Sequence, residues 1–269
     1  MNTTRGCCRL ATLPLFFPQP FPIPRYFVHL AYRGTHYRGW QRQSGAVPTV
    51  QGTIERAGSQ VGASERGEAL RVVGCGRTDA GVHASDYYLH FDAAGPLRDR
   101  WVWIMNRNLP DDIVLYRAWS VAPNAHTRYD ARERTYDYYL HTQADPFLAV
   151  TSSLYPGPPP DVDAIQTGLS LLTGHRDFRA FCLTPDRHNT TDCDLRQASF
   201  HQEGPGRFRF RFVANRFLRG MIRILVHQLL QIGRGEATPA HLTQALRTGR
   251  RTDSRQAAPE GLILSQVTY

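Results

Sequence analysis

An aspartate set in a glycine-lined bend, with an arginine and a histidine close by, is the densest chemical signal in the sequence. Residues 74–84 read Gly-Cys-Gly-Arg-Thr-Asp-Ala-Gly-Val-His-Ala, which places Arg77, Asp79 and His83 within seven positions. Glycine opens turn conformations closed to other residues, so such a loop can present the Asp79 carboxylate as a nucleophile or a base. The residues alone favour the plainer reading, an Asx-turn in which the Asp79 side chain bonds its own backbone. A dinucleotide fingerprint is excluded, because the third glycine is misplaced and no helix is expected to follow.

Three further segments carry candidate groups. Residues 125–129, Ala-His-Thr-Arg-Tyr, run into a strand-like stretch where Arg134, Tyr136 and Tyr138 share one face. That mixture of cation and aromatic can grip phosphate and stack on a base, and it can equally be an ordinary strand face with its tyrosines in the core. Residues 215–223, Asn-Arg-Phe-Leu-Arg-Gly-Met-Ile-Arg, open the most amphipathic helical pattern in the chain. Its apolar stripe is Leu218, Met221, Ile222, Leu225 and Leu229, with Arg223 at the margin. An arginine there either snorkels to water or, if enclosed, needs a carboxylate partner. Finally, Arg207, Arg209 and Arg211 alternate with Phe208, Phe210 and Phe212. One sheet face is then apolar, and the other is a solvated surface or a phosphate-contacting strip.

Composition narrows the chemistry. The 269 residues include no lysine, so all 32 basic side chains are arginine. This removes a Schiff-base lysine, a pyridoxal-phosphate anchor and a Walker-type phosphate loop together. The formal charge of +9 favours a polyanionic partner, and arginine suits bidentate phosphate contacts. The five cysteines are odd in number and lack a Cys-x-x-Cys pair or zinc-type spacing to histidine. Neither a disulfide framework nor a metal site is expected, and a reduced, cytoplasmic setting is. Hydrolase readings are weakened by the absence of His-Glu-x-x-His, Gly-x-Ser-x-Gly and paired carboxylates. No apolar run approaches the roughly 20 residues of a membrane-spanning helix, so an integral membrane protein is excluded at this level.

The elements that must position these groups follow from periodicity. Residues 1–24, rich in proline toward their end, are expected to be a disordered extension outside the fold. In residues 25–130, strands at 26–32, 70–75, 84–92 and 113–121 alternate with helices after Thr49 and over 97–108. Residues 131–269 repeat the order, with strands at 134–141, 195–202, 207–214 and 262–269. Helices are expected there at 162–173, 217–232 and 239–248. Gly174 is expected to stop the first of these. Each half reads β-α-β-β-α-β, an α+β fold of two ferredoxin-like or RRM-like units forming mixed, mostly antiparallel sheets around a central basic cleft.

From Tyr26 to Tyr269 the chain resembles the tRNA pseudouridine synthase A family. The resemblance rests on ordered motifs: residues 32–41 (Tyr-Arg-Gly-Thr-His-Tyr-Arg-Gly-Trp-Gln), 49–52 (Thr-Val-Gln-Gly), 76–84, 217–223 and 258–262 (Ala-Pro-Glu-Gly-Leu). It departs at Ile224 and His227, where family members often carry asparagine and glycine. The resemblance implies a cofactor-free isomerase that converts uridine to pseudouridine in the anticodon stem-loop of tRNA and works as a homodimer. It further implies that Asp79 is catalytic, that Tyr136 packs on the target base, that Arg223 pairs with the aspartate and that Arg77 assists base extrusion. The rival reading is a non-catalytic RNA-binding protein of two RRM-like folds, which would carry an RNP1 aromatic pattern that is not evident.

Overall fold

Val28, Leu30 and Tyr32 on β1 (Arg25–Tyr32) are buried at alternate positions, as a strand with one face on a core requires. In this computed structural model, which describes residues 23–61 and 69–269, the chain continues with α1 (Val50–Gln60), β2 (Val73–Gly74) and β3 (His83–Asp92). The half closes with α2 (Trp101–Asn108) and β4 (Ile113–Val121). The expected extension at 1–24 falls, but for its last two residues, outside the described residues, as do Cys7 and Cys8. The second half comprises β5 (Glu133–His141), β6 (Ser153–Leu154), α3 (Val162–Ser170), β7 (Leu195–Gly204) and β8 (Arg207–Ala214). It ends with α4 (Met221–Gly233), α5 (Pro239–Thr248) and β9 (Leu262–Thr268).

Local chemistry sets the helix ends. The Thr49 hydroxyl accepts from the Gly52 N–H at 3.2 Å, and the Asp161 carboxylate accepts from the Ala164 N–H at 2.9 Å. Thr238 and His241 cap α5 reciprocally, with Pro239 in its first turn and Gly249 in the left-handed region after its end. Four boundaries differ from the periodic reading by three residues or more. The helix expected over 162–173 ends at Ser170 with its cap at Leu171, so Gly174, at φ 92°, follows in a turn rather than stopping the helix. The helix expected at 217 begins at Met221, because Gly220 at φ 72° interrupts it and Leu218 is buried in the preceding turn. The helix expected at 97 begins at Trp101, after Arg100 at φ 63°. The strand expected over 70–75 is paired only at Val73 and Gly74.

All nine strands of the described residues join one sheet, in the order β4-β1-β3-β9-β5-β8-β7, with β2 on β3 and β6 on β5. Separate sheets for the halves were expected; instead β3 and β9 pair in parallel, His83 with Ile263 and Ala84 with Leu264. The other main-path pairings are antiparallel. Within each half the strands lie fourth, first, third, second, as β4-β1-β3-β2 and β9-β5-β8-β7.

Two apolar cores occupy the same side of this sheet. One gathers α1 and α2 over β1, β3 and β4, and the other gathers α3, α4 and α5 over β5, β7 and β8. Tyr136 packs against both. Register puts Tyr136, Tyr138 and Leu140 opposite Phe212, Phe210 and Phe208 on this helix-covered face. Asp137, Tyr139 and His141 stand opposite Arg211, Arg209 and Arg207 on the other face. Among the described residues no helix is long and apolar enough to cross a membrane.

Candidate active site

The loop between β2 and β3 is moulded by a second loop, residues 33–40, laid against it. The Trp40 N–H donates to the Thr78 carbonyl at 3.1 Å, and the Gly81 N–H donates to the Tyr37 carbonyl at 3.2 Å. The Tyr32 and Thr78 hydroxyls bond at 2.9 Å. Such close backbone approach needs glycine at two places: a Cβ on Gly34 would sit 2.0 Å from the Val82 oxygen, and one on Gly39, at φ +93°, 2.5 Å from the Thr78 oxygen. The Gly34 N–H donates to Nδ1 of buried His83 at 2.9 Å. Burial lowers the His83 pKa, so its neutral imidazole can serve as that acceptor. The histidine of the motif thus braces the loop.

Asp79 is half-buried at the tip, and the bond within its turn runs from the Val82 N–H to the Asp79 backbone oxygen, 3.2 Å. Its carboxylate makes no Asx-turn contact among the described residues. It faces Arg223, whose Nη1 lies 3.8 Å from Oδ2. Arg223, in the first turn of α4, is held in place at its other end: Nε donates to the Ala257 carbonyl at 2.7 Å, and the Ala257 N–H returns to the Arg223 carbonyl at 2.9 Å. Of the two fates open to a stripe-margin arginine, this one is enclosed and paired with an acid. Burial lowers its pKa below the ordinary arginine range, opposed chiefly by Asp79 and then by Tyr138 and Glu260, and it stays cationic.

Tyr136 is brought to the same place by β5. Its ring meets Phe217 edge-on, centroids 5.2 Å apart. Burial raises its phenol pKa, and Asp79 is among the charges that push it further up. Arg77, two residues before Asp79, is exposed at the rim. Asp79, Arg223 and Tyr136 therefore converge from both halves, and Arg77 stands exposed on the same loop as Asp79. Arg207, Arg209 and Arg211 do not join them, because their strand presents them on the opposite sheet face. There Arg211 grips buried Asp137 with two bonds of 2.8 Å, and Arg209 reaches Glu203 at 2.9 Å.

Some groups that build the site gave no warning as such. Arg134 donates to four backbone carbonyls: Cys75 at 3.1 Å, Arg128 at 2.7 Å, Ala131 at 3.0 Å and Asn215 at 2.8 Å. It ties the root of the Asp79 loop to the connection between the halves and to the segment leading into α4. The 256–261 segment also bridges the two sides: Ala257 holds Arg223, Ala258 accepts from the Tyr138 hydroxyl at 2.9 Å, and Pro259 packs on Gly81. Carbonyl acceptors are present at every residue, so residue types do not announce the contacts of either clamp, although residues 258–262 carry one of the motifs of the family resemblance.

A half-buried carboxylate beside a fixed guanidinium and an aromatic ring, next to an arginine-bearing rim, can do acid–base or nucleophilic work on a planar group drawn into it. Comparison with known proteins points the same way. A family model described as tRNA pseudouridine synthase matches residues 169–269. A tRNA pseudouridine synthase A from Parabacteroides distasonis is 37% identical over 249 residues, covering 91% of this chain and 96% of the relative. One from Bacteroides fragilis is 36% identical, covering 92% and 97%, and one from Nostoc sp. 35% identical, covering 93% and 88%. With motifs, fold and near-full-length similarity in agreement, the chain belongs to the tRNA pseudouridine synthase A family.

Proposed function

We propose that this protein isomerises uridine to pseudouridine in the anticodon stem-loop of tRNA, without a cofactor, with Asp79 as the catalytic carboxylate. The reaction breaks the bond from N1 of uracil to C1′ of the ribose, turns the base and joins C5 to C1′. The proton leaving C5 is balanced by the one gained at N1, so no oxidant or reductant is needed. Asp79 serves either as the nucleophile at the sugar or as the base that takes its proton. Both roles require the anion, and a guanidinium a few ångströms away favours it. Arg223 supplies that charge, and its 3.8 Å approach to Asp79 across the two halves is the observation that carries the reading.

Taking a uridine out of its stack costs a few kcal/mol. Tyr136 packs on the extruded base and Arg77 assists extrusion from the rim, offsetting that cost. The shared strand order supports reading residues 25–130 and 131–269 as two ferredoxin-like units with a basic cleft between them. The reading extends to a cytoplasmic homodimer. The sheet face turned away from both cores, where Tyr116 is 54% exposed, is available to a second copy, and sedimentation would give the mass of the assembly.

The test is tritium release from C5 of labelled uridine in unmodified tRNA. Wild-type protein releases the label; Asp79→Ala and Asp79→Asn release none while still binding the tRNA. Undiminished release by either variant overturns the assignment of Asp79, and binding with no turnover by the wild type favours the non-catalytic RNA-binding protein.

A further inference from the structure

We propose that residues 126–130 form a second nucleotide subsite, in which Tyr129 stacks an unpaired base of the substrate RNA and a neighbouring cavity takes a backbone phosphate. The proposal rests on the reading of the substrate as tRNA. Tyr129 is 75% exposed, yet its loop is fastened from within and below. The N–H groups of Arg128 and Tyr129 donate to Nδ1 of His126 at 3.1 and 3.3 Å, and the His126 N–H donates to the Asp130 carboxylate at 2.7 Å. Thr127, fully buried, donates to the Val73 carbonyl at 3.1 Å, and its own carbonyl accepts from the Tyr269 hydroxyl at 2.8 Å. Arg134 holds the Arg128 carbonyl. An exposed aromatic on so fixed a loop loses little freedom when a base stacks on it. The His126 ring, 4.2 Å away between centroids, backs the phenol ring. Burial and nearby Arg25 lower the His126 pKa, which favours the neutral imidazole that accepts both N–H groups.

Arg128 links this ring to a cavity of about 130 Å³ whose wall includes Trp40, Gln41, Gly76 and Arg77. The cavity is smaller than the roughly 300–1,000 Å³ that enclose a whole small ligand, so it suits one projecting group of a larger molecule. Among the described residues no carboxylate lines it and no acid pairs with Arg77 or Arg128. Two guanidinium groups without acids beside an exposed ring match phosphate and base together. Arg77 belongs both to this wall and to the Asp79 loop, so the subsite adjoins the reacting uridine and takes a nucleotide flanking it.

The test measures binding of an anticodon stem-loop RNA by wild type, Tyr129→Phe, Tyr129→Ala and Arg128→Ala. It also uses RNAs carrying one abasic site at each unpaired loop position. Tyr129→Ala is expected to weaken binding roughly 5- to 150-fold, Tyr129→Phe to bind like wild type, and the alanine loss to disappear on one abasic RNA. Arg128→Ala is expected to reduce the slope of log affinity against log salt by about 0.7–0.9. Losses that stay additive with every abasic site, or wild-type binding by Tyr129→Ala, overturn the subsite. If the wild type releases C5 label in an Asp79-dependent way, that failure belongs to the subsite alone.

Discussion

At the scale of single residues, the Asp79–Arg223 pair is bound by charge rather than by a hydrogen bond, since 3.8 Å separates the nearest atoms. Removing the cation should therefore cost activity through lost charge stabilisation rather than through a broken hydrogen bond. Arg223→Ala is expected to lower kcat on the order of 10²-fold while leaving tRNA binding near that of the wild type, and Arg223→Lys to recover part of the loss. Full activity of Arg223→Ala would contradict the pairing. A titration bears on stability. Burial first, then His126 and Arg25, hold His90 at about 4 against its ordinary 6.5. The unfolded chain thus binds more protons between those values, so stability is full above about 6.5 and falls as pH drops toward 4. The loss is about 3 kcal/mol at most, and His90→Gln should flatten the dependence of Tm on pH. The aspartate was legible because glycines and ionisable groups crowd one short segment, and Arg223 because a charge at the edge of an apolar stripe demands an explanation. Arg134 was legible only as a charged face, because its four partners are carbonyls that no residue type announces.

Among the elements, the loop over residues 33–40 and the Asp79 loop form one unit, and Gly39 is one of the two glycines at which their backbones meet. Gly39→Ala must place a Cβ 2.5 Å from the Thr78 oxygen at a φ of +93°. We expect a loss of about 1–3 kcal/mol and of most turnover, with the apolar cores intact by near-ultraviolet circular dichroism. Arg134→Met is expected to loosen the Asp79 loop from the segment ahead of α4 and to cost activity beyond any fall in Tm; Arg134→Lys, which can still reach some of the carbonyls, should recover part of it. Strands with strict alternation, such as β8, and helices with capping residues, such as α5, were readable almost to the residue. The start of α4 was not. Leu218 is buried in a turn rather than a helix, and periodicity counts burial without knowing which backbone supplies it. The face of the β8 arginines was readable too, but not their occupation by Asp137 and Glu203, because carboxylates on other strands meet them only through register.

For the molecule as a whole, the order of strands within each half followed from the succession of elements, whereas the joining of the halves did not. A parallel contact of two residue pairs between strands some 180 positions apart leaves no local trace. Leu264 shows its importance: it stands on β9 of the second half and is buried in the core of the first. Leu264→Ala should cost about 2–5 kcal/mol and lower a single thermal transition; two separated transitions in the wild type would show the halves to be independent. The place of β9 also bears on how the protein is made. It follows every other strand along the chain, yet it lies in the middle of the sheet. On the ribosome the first half emerges early with part of β3 bare, since β2 covers only the far end, at Leu89 and His90. An unpaired strand margin invites pairing with another chain. A polypeptide halted before residue 262 thus has its aspartate and its arginine but no strand between their halves, and it is open to aggregation until translation passes that point.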